Sequence, residues 1–253
     1  ILGDHSHIFL AEAGGSAAVG GIHPRSVPSQ QDGTLRLNDI RAAIRGDNEH
    51  YPITKLIALE NTSGVMYGSV LTPDYVAQVS DIARSHHLAL HVDGARIFNA
   101  CVAQGVDIKA YTQHIDSISI CLSKGLGAPV GSVLIGERDF ILHARRVRKR
   151  FGGGMRQAGI IAAAGLHALD HHVMRLGDDH ARAKRLEQVL SKLPWVERTL
   201  PVETNIVVFT LKNKSSVGDI LTELREADIL AMQFGPGMVR MVMHLDVDDA
   251  ALD

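Results

Sequence analysis

Short runs rich in leucine and β-branched residues alternate with amphipathic helical stretches between residues 55 and 135, and no other feature of the chain constrains its fold as tightly. Such an order points to an α/β domain built on a mostly parallel sheet. Lys55–Leu59 reads as a buried strand ending at Glu60-Asn61-Thr62. Thr72-Pro73-Asp74 follows as a helix start with proline at the first helical position, and the helix runs to about His86. Leu88–Val92 is the next strand, with Asp93 at its carboxyl end. Ser117–Cys121 is another and delivers Ser123-Lys124-Gly125, while Val130–Ile135 forms a further strand closed by Gly136.

A long helical region is expected from about Arg156 to Leu176, with Gly165 as a close-packing point. Within Asp178 to Leu193, the residues Leu186, Val189, Leu190 and Leu193 share one face at helical spacing. From Trp195 the pattern changes. Strands near Thr204–Phe209 and Met238–Val242 flank a helix from about Val217 to Ala227, which makes a small α+β unit. The expected division is a large domain over 1–175 and a smaller C-terminal α+β domain over 176–253. The chain opens on Ile1-Leu2-Gly3 like the end of a strand and stops at Asp253 one turn into a helix. Both domains are therefore expected to be incomplete at those ends.

At 253 residues the chain can bury a sizeable core. A net charge of −2 gives no electrostatic reason to expect nucleic acid or an anionic membrane as partner. Aromatic residues, at 4%, are too scarce for base-stacking platforms. The basic run Arg145-Arg146-Val147-Arg148-Lys149-Arg150 reads first as a solvated helix face. Cys101 and Cys121 lie in apolar stretches without metal-ligand or disulfide spacing, which fits a reducing compartment, the cytoplasm or an organellar matrix. The longest apolar stretch, around Ile160 to Leu169, is too short to span a bilayer.

In an open α/β sheet, ligands gather beyond the carboxyl ends of the strands. Three apolar strands here end in polar groups: Glu60-Asn61-Thr62, Asp93-Gly94-Ala95-Arg96 and Ser123-Lys124-Gly125. Lys124 precedes Leu126-Gly127-Ala128-Pro129, whose glycines let backbone pass close to a bound group. A lysine there suits covalent Schiff-base attachment of a carbonyl cofactor. Asp93 suits either a helix cap or the carboxylate that keeps a pyridine nitrogen protonated.

Four segments, His91 through Ala100, Cys121 through Ser132, Phe151 through Gly159, and His7 through Gly15, resemble the low-specificity L-threonine aldolases. That resemblance implies pyridoxal 5'-phosphate (PLP) as cofactor, a large domain of the PLP fold type I kind, and retro-aldol cleavage of a β-hydroxy-α-amino acid to glycine and an aldehyde. It implies that Lys124 holds the cofactor, Asp93 pairs with the pyridine nitrogen and His7 stacks on the ring. Arg96 and Arg240 would clamp the substrate carboxylate, a task that suits the guanidinium fork. Arg156, and with it Lys149, would reach the cofactor phosphate from a neighbouring subunit in a homo-oligomer, a dimer of dimers.

The base that takes the β-hydroxyl proton stays open between His7, His50 and a water held by either. His50, before Tyr51-Pro52, reads equally as an exposed loop histidine. The family's N-terminal phosphate-binding turn has no counterpart here. The alternatives are another PLP-dependent amino-acid enzyme (serine hydroxymethyltransferase-like, racemase or β-eliminating lyase) or a truncated non-catalytic paralogue.

Overall fold

The computed structural model describes residues 1–252; Asp253, where the sequence reading stops, lies outside them. A two-residue strand, β1 (Leu2–Gly3), pairs in parallel with β2 (Ser26–Val27), with single-turn helices α1 (His7–Leu10) and α2 (Gly15–Ala18) between them. Helix α3 (Leu37–Ala43) leads to β3 (Leu56–Glu60). Then come α4 (Pro73–Ser85), β4 (Ala89–Asp93), α5 (Ile97–Gln104), α6 (Lys109–Thr112), β5 (Ser117–Cys121) and β6 (Ser132–Gly136). Helices α7 (Arg138–Arg150), α8 (Gly159–His171) and α9 (Leu176–Leu190) follow. The last part holds β7 (Val196–Thr199), β8 (Ile206–Leu211), α10 (Val217–Glu226), β9 (Met232–Gly235), β10 (Met238–Val242) and α11 (Asp249–Leu252).

Strands β3, β4 and β5 are parallel neighbours, and β6 closes the sheet antiparallel to β5. Helix α4 shows how the local code works. Thr72 Oγ1 accepts the Tyr75 amide at 3.2 Å and Pro73 occupies the first turn. Val76, Val79, Ile82 and Ala83 recur at helical spacing and are buried against the sheet core with Ile57, Leu59, Leu90, Val92 and Ile118. Each such fully buried Val, Leu or Ile side chain contributes about 1.5–3 kcal/mol. The helix ends where His87 takes φ 55°, and Leu88 turns the chain back into β4.

The expected helix over 156–176 is two helices. Residues Arg156 to Ala158 form a bend, with Gln157 at φ 52°, before α8 starts at Gly159. A second turn at 172–175 separates α8 from α9 because His172 is drawn away: its Nδ1 donates to Leu126 O at 2.6 Å. Gly165 is indeed a close-packing point, since a Cβ there would meet Leu122 Cδ1 at 3.0 Å. The strand expected at Val130 begins at Ser132, and the one expected at Thr204 begins at Ile206. Thr204 and Asn205 instead use their side chains, Thr204 Oγ1 donating to Gly68 O and Asn205 Nδ2 to Met243 O, both at 2.9 Å.

The second sheet, in the order β7-β8-β10-β9, is antiparallel throughout. All six residues of β8 are buried. Ala183 and Leu190 of α9 cover one side of it, packing with its Val207, Phe209 and Leu211 and with Val239 of β10. The start of α9 points elsewhere: Leu176 is buried with Leu122, Leu126 and Ala128 beneath the Lys124 loop. One helix thus ties the loop that follows β5 to the second sheet. Among the described residues, no helix is long and apolar enough to cross a membrane.

Candidate active site

Parallel pairing of β3, β4 and β5 brings their carboxyl ends to one edge of the sheet. In register, Glu60 lies beside Asp93 and Asp93 beside Ser119, four residues before Ser123. The backbone continues that alignment, with Asn61 N donating to Asp93 O and Gly94 N to Ser119 O, each at 2.8 Å. Lys124 and Asp93 therefore emerge on the same edge. Asp93 Oδ1 accepts the Ala95 amide at 3.2 Å, which turns the chain into α5 and sets Arg96 at that helix's start. Glu60 accepts two amides at 2.7 Å, from His7 on Oε2 and from Gly64 on Oε1. Burial raises its pKa, against the pull of those two donors.

A cleft of about 400 Å³ opens above this edge, lined by Arg96, Ser123, Lys124, Asn205, His244 and Asp246 together with glycines 125 and 127. That is a volume suited to a small ligand. A larger hollow of about 640 Å³ lies along Ile22, Ile53 and Leu56 and contains none of the residues singled out from the sequence. Asn205 is held in the cleft wall through a buried polar cluster. Asn99 Nδ2 lies 3.1 Å from His180 Nε2 and 3.4 Å from Asn205 Oδ1. Burial holds the pKa of His180 down to about 4, so its ring is neutral at working pH.

Two arginines converge without a carboxylate partner in hydrogen-bond contact among the described residues. The Nε atoms of Arg96 and Arg240 are buried and unpaired. Burial lowers the pKa of Arg96, offset in part by the fields of Cys121, Glu60 and Asp93. Burial pushes Arg240 down to about 10, and the charge of Arg96 adds to that. Arg240 sits over the Phe234 ring, 5.3 Å from its centroid. Both guanidiniums remain charged at neutral pH, and a buried unpaired cationic donor is costly unless an anion completes it. Two such donors suit an anionic group.

The other residues singled out from the sequence lie further out. His7 is half-exposed, its Nε2 2.9 Å from Glu12 Oε1, while its backbone amide touches Glu60. His50 has an 80% exposed side chain, with Glu49 at 3.9 Å. Lys149 and Arg156 are exposed on α7 and in the bend before α8. A single chain brings Lys124, Arg96 and Asp93 to one edge and leaves His50, Lys149 and Arg156 outside the cleft. Sequence reasoning missed Asn99, Asn205 and His244. The available signal was two polar residues, Thr204-Asn205, at the head of an otherwise apolar strand, and a histidine just past the end of β10.

Residues 1–214 match the beta-eliminating lyase family. The chain is 44% identical over 247 residues to the low specificity L-threonine aldolase of Escherichia coli (strain K12), covering 98% of this chain and 72% of that protein. It is 42% identical over 249 residues to low-specificity L-threonine aldolase 1 of Arabidopsis thaliana, covering 96% and 70% respectively. A solved threonine aldolase of Leishmania major superposes with a TM-score of 0.81 at 23% identity, covering 99% of this chain and 73% of that one; it bears on the fold.

Proposed function

From its membership of the beta-eliminating lyase family, in which the chain belongs with the low-specificity L-threonine aldolases, we propose that it cleaves L-threonine and L-allo-threonine to glycine and acetaldehyde with pyridoxal 5'-phosphate as cofactor. The observation that carries this reading is the position of Lys124, which shares a cleft with Arg96 on the edge where the Asp93 strand ends. The donor set fits the cofactor and its substrate. An amine is present for covalent attachment, a carboxylate stands on the same edge for the ring nitrogen, and two partly buried arginines have buried, unpaired Nε atoms.

Lys124 would hold the cofactor covalently and Asp93 its pyridine nitrogen, with His7 against the ring. Bound there, PLP supplies an electron sink for the carbanion left when the Cα–Cβ bond breaks. Arg96 and Arg240 clamp the substrate carboxylate, which fixes the orientation of Cα and selects the bond that breaks. A neighbouring copy would bring Arg156 and Lys149 to the phosphate, in a dimer of dimers. Exposed Phe151, Met155 and Ile160 in the same stretch support such an assembly. This activity would place the protein in threonine breakdown and glycine supply, and its two unpaired cysteines fit a cytoplasmic enzyme.

The test uses protein, PLP and L-threonine without folate. Glycine and acetaldehyde are expected in equal amounts, and mass spectrometry after borohydride reduction should find the pyridoxyl group on Lys124. Lys124→Ala is expected to lose the absorbance of the covalently held cofactor. A variant that keeps that absorbance refutes the assignment.

A further inference from the structure

We infer that Asn99, oriented by His180, is a positioning residue that seats the second sheet, and with it Arg240, against the Arg96 side of the Lys124 cleft. The inference rests on the aldolase reading and deepens it, because the placement of the two arginines decides how tightly they hold a substrate carboxylate.

The two arginines belong to different parts of the fold. Arg96 stands at the start of α5, while Arg240 lies on β10, opposite Val208 of β8. In the first turn of α5 the Asn99 backbone amide donates to Arg96 O at 3.0 Å. The Asn99 side chain reaches the other part: its Nδ2 donates at 3.4 Å to Oδ1 of Asn205, the residue before β8 and a lining residue of the cleft. Asn205 is tied in turn to Met243, just past the end of β10. The Met243 amide donates to Asn205 O at 2.8 Å, and its carbonyl accepts Asn205 Nδ2 at 2.9 Å. Asn99 also lies against the lysine loop, where a Cβ at Gly125 would be 3.4 Å from its Oδ1. One side chain, 2% exposed, thus meets the residue after Lys124 and the head of β8.

The direction of each bond in this relay follows from one backbone carbonyl. Met243 O can only accept, so Asn205 turns its Nδ2 toward it and its Oδ1 toward Asn99. Asn99 must then present Nδ2, whose two hydrogens go to Asn205 and to His180 Nε2, 3.1 Å away. An amide NH2 offers no lone pair, so the His180 ring has to accept there and carry its proton on Nδ1. Burial supports this by holding His180 down to about 4, with the charge of Lys184 adding to that. Without that acceptor the Asn99 amide is free to turn over, which sets its oxygen against Asn205 Oδ1 and parts the two walls of the cleft.

The experiment titrates holoenzyme with glycine, read by the cofactor's absorbance, and follows threonine cleavage in parallel. Asn99→Ala is expected to raise the Kd for glycine and the KM for threonine about tenfold, with kcat within about threefold of wild type. His180→Leu is expected to do the same. His180→Gln restores an acceptor near the Nε2 position and is expected to bind glycine within about threefold of wild type. In an Arg240→Ala background, Asn99→Ala is expected to add less than about twofold, because the clamp is already open. Nitrogen-15 NMR is expected to find the His180 ring protonated on Nδ1 at neutral pH. The His180 variants keep both asparagines and decide the question if Asn99→Ala does not fold. Wild-type glycine affinity in Asn99→Ala or His180→Leu, losses that multiply with Arg240→Ala, or a ring protonated on Nε2 would each overturn the inference and leave the aldolase reading intact. A wild type that releases no glycine from threonine overturns both.

Discussion

Arg240 shows how a single side chain can be poised for a ligand the chain does not itself contain. Its guanidinium feels the charge of a second one, is held over the Phe234 ring, and keeps a buried, unpaired Nε. A charge-assisted hydrogen bond contributes about 1.5–3 kcal/mol, so losing the carboxylate partner weakens ground-state binding about ten- to hundredfold. Arg240→Ala is expected to raise the apparent KM for threonine by that factor, with a smaller effect on kcat. An unchanged KM in steady-state assays would remove Arg240 from the clamp. The same residue marks the limit of local reading. Its type and place on a strand were legible from Met238–Val242, but its proximity to Arg96 arises only when β10 pairs with β8.

At the scale of elements, the parallel strands end where the apolar runs end, because a buried strand is recognisable from period-2 burial alone: Ile57 and Leu59, Leu90 and Val92, Ile118 and Ile120. Strands β7 and β9 were missed for the opposite reason. Val196 is the only buried residue of β7, and β9 has none, so each exists through its partner in the sheet. The turn after β4 is tighter than its sequence betrays. A Cβ at Gly94 would sit 2.6 Å from Ile118 Cδ1 and 3.0 Å from the Ser119 carbonyl oxygen. Gly94→Ala is therefore expected to push β4 and β5 apart and to cost about 1–3 kcal/mol, read as a melting temperature lower by several degrees. Because Asp93 precedes Gly94 and lies in register with Ser119 of the strand that leads to Lys124, binding of PLP should weaken with it. A variant with wild-type melting and binding would show that the edge tolerates the displacement.

For the whole molecule, the open question is what covers the α7–α8 side. Ile160 is 84% exposed, Met155 65%, Phe151 64% and Leu166 62%, four large apolar side chains left in water within sixteen residues of sequence. The proposed assembly buries this side between copies and delivers Arg156 and Lys149 to a neighbour's cofactor phosphate. Ile160→Glu is expected to shift sedimentation from an oligomer toward the single chain and to weaken PLP binding about tenfold or more through the lost phosphate contacts. Unaltered mass and affinity would place the interface elsewhere.

The sequence by itself determined the α/β class, the strands of the main sheet, and the identity of the residues gathered at its edge, Glu60, Asp93, Arg96 and Lys124. These are local matters: periodicity sets a strand, and the residue that ends it necessarily emerges at the sheet's edge. Tertiary structure alone decided what faces them. The opposite wall of the cleft, Asn205 and His244, is held by contacts such as Asn99 to Asn205, 106 residues apart, and Thr204 to Gly68, 136 apart. Hydrogen bonds of that span leave no periodic trace in a chain, because the docking of one sheet on another depends on shape and polar partners that exist only once both have formed.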